Sequence, residues 1–168
     1  MTRAAVPADA DAIAAIHVAG WRAAYTGIMP AAFLANLSIP ERAAGWRRGI
    51  ERDSGMVQVF EEAGNIRGWI ASGKARENGE AHEGEIYALY VDPSHWRCAI
   101  GGALIRHAEQ KLWAEGFQSV VLWVLERNNL ARAFYSKCGY AEDGESKTID
   151  IAESKLVELR LIKIISER

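Results

Sequence analysis

The segment Val91-Asp92-Pro93-Ser94-His95-Trp96-Arg97-Cys98-Ala99-Ile100-Gly101-Gly102-Ala103-Leu104 has the residue types to hold an anion. An apolar strand runs into it, and a helix opens from its two glycines. The first backbone N–H groups of a helix have no partner within it and carry the positive end of its dipole. Glycine lets a ligand come close to that backbone. The arrangement suits a phosphate or pyrophosphate, although on the glycines alone a tight strand-to-helix turn with no ligand is the plainer reading. The segment is not GxxxxGK[ST], which excludes a nucleotide-hydrolysing P-loop, and it is not the GxGxxG of a dinucleotide fold.

Other residues could do chemistry. Tyr135 sits on a helical stripe with Ala131, Phe134 and Cys138, where it is either a proton donor or a core aromatic. Glu85 opens the apolar strand, and Glu77, Glu80 and Glu83 precede it. Such a run could attract a cationic amine, although a solvated loop is the plainer reading. Cys98 and Cys138 form no CxxC pair and have no His and acid partner evident in sequence. The histidines His17, His82, His95 and His107 are not spaced as metal ligands, so no metal site is expected.

The elements that must position these groups follow from periodicity. Ile13, Ile16, Gly20, Trp21 and Ala24 make one helical stripe, with Asp9 or Asp11 as its cap. Short helices follow Pro30 and Pro40. Strands are predicted at 56–62 and 66–73, joined across Gly64-Asn65 as a hairpin, then at 86–91, where Asp92-Pro93 ends the ladder. A helix carrying Leu104, Ile105, Ala108 and Leu112 stops at Gly116. Residues 119–125 form a strand buried on both faces, and the helix of Tyr135 stops at Gly139. Two last strands follow, one after Tyr140 and one over 156–164. Strand–helix–strand between 86 and 125 implies a parallel pair with a right-handed crossover. The fold class is therefore α/β (α+β), a mixed, mostly antiparallel sheet flanked by helices, in a single domain over 1–168.

Three segments together carry a resemblance. Glu85-Ile86-Tyr87-Ala88-Leu89-Tyr90-Val91-Asp92-Pro93, the loop after it, and Asn128-x-x-Ala131-x-x-Phe134-Tyr135 stand in the order and at about the spacing of the GNAT superfamily of N-acetyltransferases, which the chain resembles over nearly its whole length. The resemblance implies acetyl-CoA as co-substrate, with the pyrophosphate wrapped by the backbone amides of Arg97, Cys98, Ala99, Ile100, Gly101 and Gly102. It implies that Leu89, Tyr90 and Val91 pair with the pantetheine arm, that Asn128 contacts the pantetheine or holds the strand end, and that Tyr135 lies near the sulfur. The loop departs from the family pattern. Trp96 stands where Arg or Gln is common, Arg97 where a small residue is common, and Ala99 where the first glycine is. Ala99 is tolerated if its φ is negative and strained if the turn needs φ > 0.

Amine acetylation needs a deprotonated amine, a donor for the oxyanion and a proton for the leaving thiolate. Tyr135, with an ordinary pKa of about 10, is the candidate acid. Glu85 is the candidate base, and a backbone N–H of 89–91 the candidate oxyanion donor. The function expected is acetyl transfer to a primary amine, of a small molecule, peptide or protein, by direct attack in a ternary complex. The competing reading is a non-catalytic acyl-CoA-binding or regulatory module with a degenerate loop. Trp21, Tyr25 and Trp46 lie where this family walls its acceptor pocket, and core packing is their default role.

A net charge of −2 gives no basic face for nucleic acid, and no apolar run spans a membrane. The N-terminus has no long apolar core, so the expected location is cytoplasmic. The apolar run 156–164, placed at a sheet edge, would favour a homodimer.

Overall fold

The computed structural model describes residues 1–53, 55–76 and 82–166. Seven strands form one sheet in the order β1-β2-β3-β4-β5-β7-β6. They are β1 (Thr2–Ala4), β2 (Val57–Glu62), β3 (Asn65–Lys74), β4 (Glu83–Val91), β5 (Ser119–Leu125), β6 (Ala141–Ile151) and β7 (Ser154–Ile164). All neighbours run antiparallel except β4 and β5. The helices are α1 (Ala10–Tyr25), α2 (Ala31–Ala35), α3 (Ile39–Arg52), α4 (Ile100–Ala114) and α5 (Asn129–Lys137).

Alternation along β3 shows how the sheet divides the helices. Ile70 faces a core built with Leu104, Ile105 and Leu112 of α4, and Phe134 and Tyr135 of α5 pack against it. Trp69 and Ala71 face the other way, onto Ile13 and Ile16 of α1 and Ile50 of α3. A smaller cluster joins Met29 and Leu34, beyond α1, to Leu125 of β5 and Leu156 of β7. It closes the α1 side at the C-terminal end of β5.

Several expectations need correction. β1 carries no periodicity in its three residues and enters the sheet only by pairing with β2. β4 begins at Glu83, so Glu83 and Glu85 belong to a buried strand and not to a solvated loop. Glu77 and Glu80 lie outside the described residues. The β2–β3 turn is Ala63-Gly64, with φ of 50° and 76°, one residue earlier than the sequence suggested. Asp9 stands at the N-cap of α1 without capping it. Its carboxylate instead accepts from the Val6 N–H at 2.8 Å and from Arg3 at 2.7 Å. The run 156–164 is not an edge: β7 lies between β5 and β6, and the edges are β1 and β6. Among the described residues no helix is long and apolar enough to cross a membrane.

His17 of α1 is enclosed in the aromatic block. Its Nδ1 accepts from Trp46 Nε1 at 3.2 Å, and its ring lies 5.3 Å from that of Trp69 and 4.8 Å from that of Tyr90. Burial, aided by the Arg42 charge, pushes its pKa down to about 3. The unfolded chain takes up this proton near pH 6.5 and the folded chain does not, so stability is full above that pH and falls as pH drops from there toward 3. Urea unfolding at pH 7 and pH 5 checks this. His17→Gln keeps an acceptor for Trp46 and should lose less stability between the two pH values than the parent. An equal loss in both would rule out His17 as the source.

Candidate active site

The site starts from an irregularity in β4. Ser72 pairs with Ile86 and Ala71 with Ala88, which leaves Tyr87 as an extra residue, a β-bulge. On the other side of β4, pairing with β5 runs from Glu83↔Ser119 to Ile86↔Leu122 and stops there. The remainder of β4 and the end of β5 share no register, so a gap opens between them. The Asp92 N–H donates to the Arg67 carbonyl at 2.9 Å. Backbone alternation therefore turns Tyr90 toward β3 and leaves the N–H and C=O groups of Leu89 and Val91 facing the gap. The Val91 carbonyl accepts there from Trp96 Nε1 at 2.9 Å.

The loop beyond β4 is built around Asp92. Its carboxylate accepts from the Ser94 N–H at 3.0 Å and the Ser94 hydroxyl at 2.8 Å, and lies 3.1 Å from His95 Nδ1. Arg97 and Ala99 both have left-handed backbones, with φ of 64° and 60°. Ala99 precedes α4 with no side-chain cap, and the Ala103 N–H, bonding to the Ala99 carbonyl at 3.0 Å, makes the first bond at that end. Among the described residues, no acceptor takes the N–H groups of 97–102. They form a cradle of donors at the positive end of α4, which fits a pyrophosphate. A Cβ on Gly101 would lie 3.0 Å from Phe134 Cζ, so this glycine permits close packing of α4 on α5.

α5 begins at Asn128, which is buried and accepts the Ala131 N–H on its Oδ1 at 3.1 Å. Two turns further along, the Tyr135 hydroxyl has no hydrogen-bond partner among the described residues. Burial, then the nearby Tyr25 phenol, push its pKa up. Tyr90 points to the α1 side, where its hydroxyl is 3.1 Å from that of Tyr25. A Cβ on Gly20 would lie 2.8 Å from Tyr90 Cδ1, so Tyr90 can lie against α1 only over a glycine. Burial raises the Tyr90 pKa far above its ordinary value, and Tyr25 and Tyr135 add to the effect. The three phenols thus sense one another across the gap.

The structure brings Leu89, Val91, the 97–102 amides, Asn128 and Tyr135 to one end of the sheet. Glu85 stands apart, in the paired half of β4. Its Oε2 accepts the Arg76 N–H at 2.9 Å and its Oε1 the Arg76 guanidinium at 2.6 Å. Glu83 is buried 3.7 Å from Arg160. Cys98 is exposed in the loop, and Cys138 is half-buried with its thiol pushed up by burial. Among the described residues no group of His, Cys, Asp or Glu could hold a metal ion. Sequence reasoning treated Tyr25 as packing. The family resemblance places it near the acceptor pocket, and no local pattern in the sequence reveals its bond to Tyr90.

Residues 20–140 match the family model described as the acetyltransferase (GNAT) family. The chain is 32% identical over 156 residues to the N-acetyltransferase YuaI of Bacillus subtilis, covering 91% of this chain and 86% of the relative. The PaiA N-acetyltransferase of Thermoplasma acidophilum, solved with coenzyme A, superposes with a TM-score of 0.74 at 20% identity, covering 98% of each chain. The yncA protein of Salmonella typhimurium, solved with acetyl-CoA, gives 0.73 at 20% identity, covering 100% of this chain and 95% of that one.

The left-handed Ala99 is strained by about 1–2 kcal/mol. Ala99→Gly relieves this, offset in part by a freer unfolded chain. The expected net gain is about 0.5–1 kcal/mol in urea unfolding, and a loss would show that the turn does not need φ > 0.

Proposed function

The chain belongs to the GNAT acetyltransferase family, and from that premise we propose that it transfers the acetyl group of acetyl-CoA to a primary amine by direct attack, with both substrates bound together. The gap between β4 and β5 carries this reading. It opens a free strand edge beside a cradle of unpartnered amides, with a protonated phenol opposite. Acetyl-CoA supplies the activated acyl group as a thioester. The 97–102 amides bind its pyrophosphate, and the Leu89–Val91 edge takes the amide-bearing arm by strand-like pairing. Asn128 fixes the start of α5 and thereby the position of Tyr135. Leu89 N–H, free of β3, is the donor to the carbonyl oxygen under attack. The exposed Arg97 guanidinium adds charge for the phosphates.

Tyr135 holds its proton throughout the neutral range, because burial raises its pKa, and hands it to the leaving sulfur. A proton on Glu85 would break its ion pair with Arg76. We therefore assign Glu85 to anchoring the start of β4 and leave the proton of the amine to water in the open gap. A cytoplasmic setting belongs to this reading.

Calorimetric titration with acetyl-CoA, followed by thiol release over a panel of amines, tests it. Micromolar binding and thiol release with any amine are expected, and absence of binding would overturn it. Tyr135→Phe should bind acetyl-CoA as the parent does and turn over about a hundredfold more slowly. Unchanged turnover would remove Tyr135 as the acid. In Glu85→Gln, the pH profile of kcat/KM should keep its shape, while loss of its acidic limb would make Glu85 the base.

A further inference from the structure

The end of β5 carries a cavity of about 120 Å³ on its α1 side, close to Tyr25 and away from α4. Its floor is apolar, made by Ile28 from the α1–α2 connection, Leu125 of β5 and Leu156 of β7. Its rim is charged, made by Glu126, Arg127 and Lys155. That space admits a short branched aliphatic group. Tyr25 belongs to the same apolar cluster as the floor, and its hydroxyl touches that of Tyr90 on the gap strand. One apolar cluster thus reaches from the cavity floor to Tyr25, and Tyr25 touches the strand that borders the gap.

The charges around it are unequal in their availability. The carboxylates nearer the start of β4 are matched: Glu85 by Arg76, Glu83 and Asp143 by Arg160, and Glu158 by Lys147. Four carboxylates share three cations there, an excess of one negative charge, too little to collect a polycation. At the cavity, the Arg127 guanidinium donates to the Gly27 carbonyl at 3.0 Å and makes no ion pair among the described residues. Lys155 stands opposite Asp150 in the β6–β7 register and forms no ion pair there. Glu126 also lacks a cation partner among the described residues. Two cations and one carboxylate thus surround an apolar floor. A zwitterion with an aliphatic body matches that pattern, its carboxylate on Arg127 and Lys155 and its ammonium drawn past Glu126 toward Tyr90.

We propose that the acceptor is a small aliphatic α-amino acid, held by its side chain on the Ile28–Leu125–Leu156 floor and by its carboxylate on Arg127 and Lys155. The proposal rests on the acetyltransferase reading and names the acceptor class for the same site. The amino nitrogen loses a proton and bonds to the acetyl carbon, the C–S bond breaks, and the sulfur takes up a proton.

The test compares L-leucine, isopentylamine (leucine without its carboxylate), L-leucinamide and a leucyl dipeptide. Each is titrated calorimetrically into the protein saturated with coenzyme A and then assayed with acetyl-CoA. Leucine should bind about tenfold or more tightly than isopentylamine and lead the panel in kcat/KM. Lys155→Glu should reduce the leucine-to-isopentylamine ratio about tenfold, and Arg127→Gln should act in the same direction if its unfolding midpoint is retained. Leucine binding no better than isopentylamine overturns the proposal. A lead for leucinamide or the dipeptide overturns it in favour of a peptide N-terminus. Acetyl-CoA binding with turnover of isopentylamine, but no preference for leucine, defeats this acceptor class and leaves the acetyltransferase reading intact. Failure to bind acetyl-CoA defeats the latter.

Discussion

The extra residue Tyr87 in β4 is the constraint on which the rest of the site depends. A bulge bends its strand and sharpens its twist, and here it falls immediately after Ile86, the last residue of β4 that pairs with β5. Without it, the parallel ladder would continue toward Val91, and the backbone groups of Leu89 would be satisfied within the sheet. With it, the sheet keeps its β3–β4 pairing to Val91 and sacrifices only the β4–β5 side. Buried backbone groups left in this way are expensive unless something takes them. An unpaired strand edge in the middle of a seven-stranded sheet is thus a place for a ligand with amide groups of its own. The bulge also sets the side chains. Tyr87, Ala88 and Tyr90 all pack on the α1 side, while Leu89 and Val91 pack on the α4 side.

That redistribution puts a large phenol, Tyr90, against α1, and the helix answers with Gly20. The glycine forgoes about 1 kcal/mol of helix propensity relative to alanine, and the ring it admits contacts His17 and Trp69. His17 is neutral in this setting because a charged imidazole among tryptophans has no solvent to stabilise it. The block is rigid through ring packing and is tied by two polar links, Trp46 to His17 and Tyr25 to Tyr90. The end of α1 is thereby fixed to the gap strand, and the α1–α2 connection that follows it is held against the ends of β5 and β7.

Much of this was legible in the residues. The stripes of α1, α4 and α5 and the continuous apolar run of β5 follow from periodicity, and β5 was placed at its observed bounds because both of its faces are buried. The strand, turn and two glycines before α4 specify a turn that suits a ligand or none, and only the family resemblance points to the 97–102 amides. What failed did so for stated physical reasons. β1 is too short to show a period. β4 begins at Glu83 because Arg160 and Arg76 neutralise buried carboxylates that read as solvated in a linear sequence. β7 is interior because β6, whose residues are mostly exposed and give no apolar pattern, pairs along its outer side. The Tyr25–Tyr90 bond joins residues 65 apart in the chain, a distance over which no local pattern operates.

The departures of the loop from its family's pattern become intelligible together. Trp96 donates to the Val91 carbonyl, the group that the gap would otherwise leave unpaired, and so pins the loop to the strand end. Asp92 pins the other side of the same turn through Ser94 and His95. Between Trp96 and the start of α4 the chain must reverse in a few residues, and it does so through left-handed Arg97 and Ala99. Left-handed non-glycine residues persist where surrounding structure over-determines them, and they cluster at functional sites. Two anchors and the start of α4 supply that determination here. The strain is the consequence of holding consecutive amides outward with no internal acceptor, a geometry that relaxation into a regular helical turn would abolish.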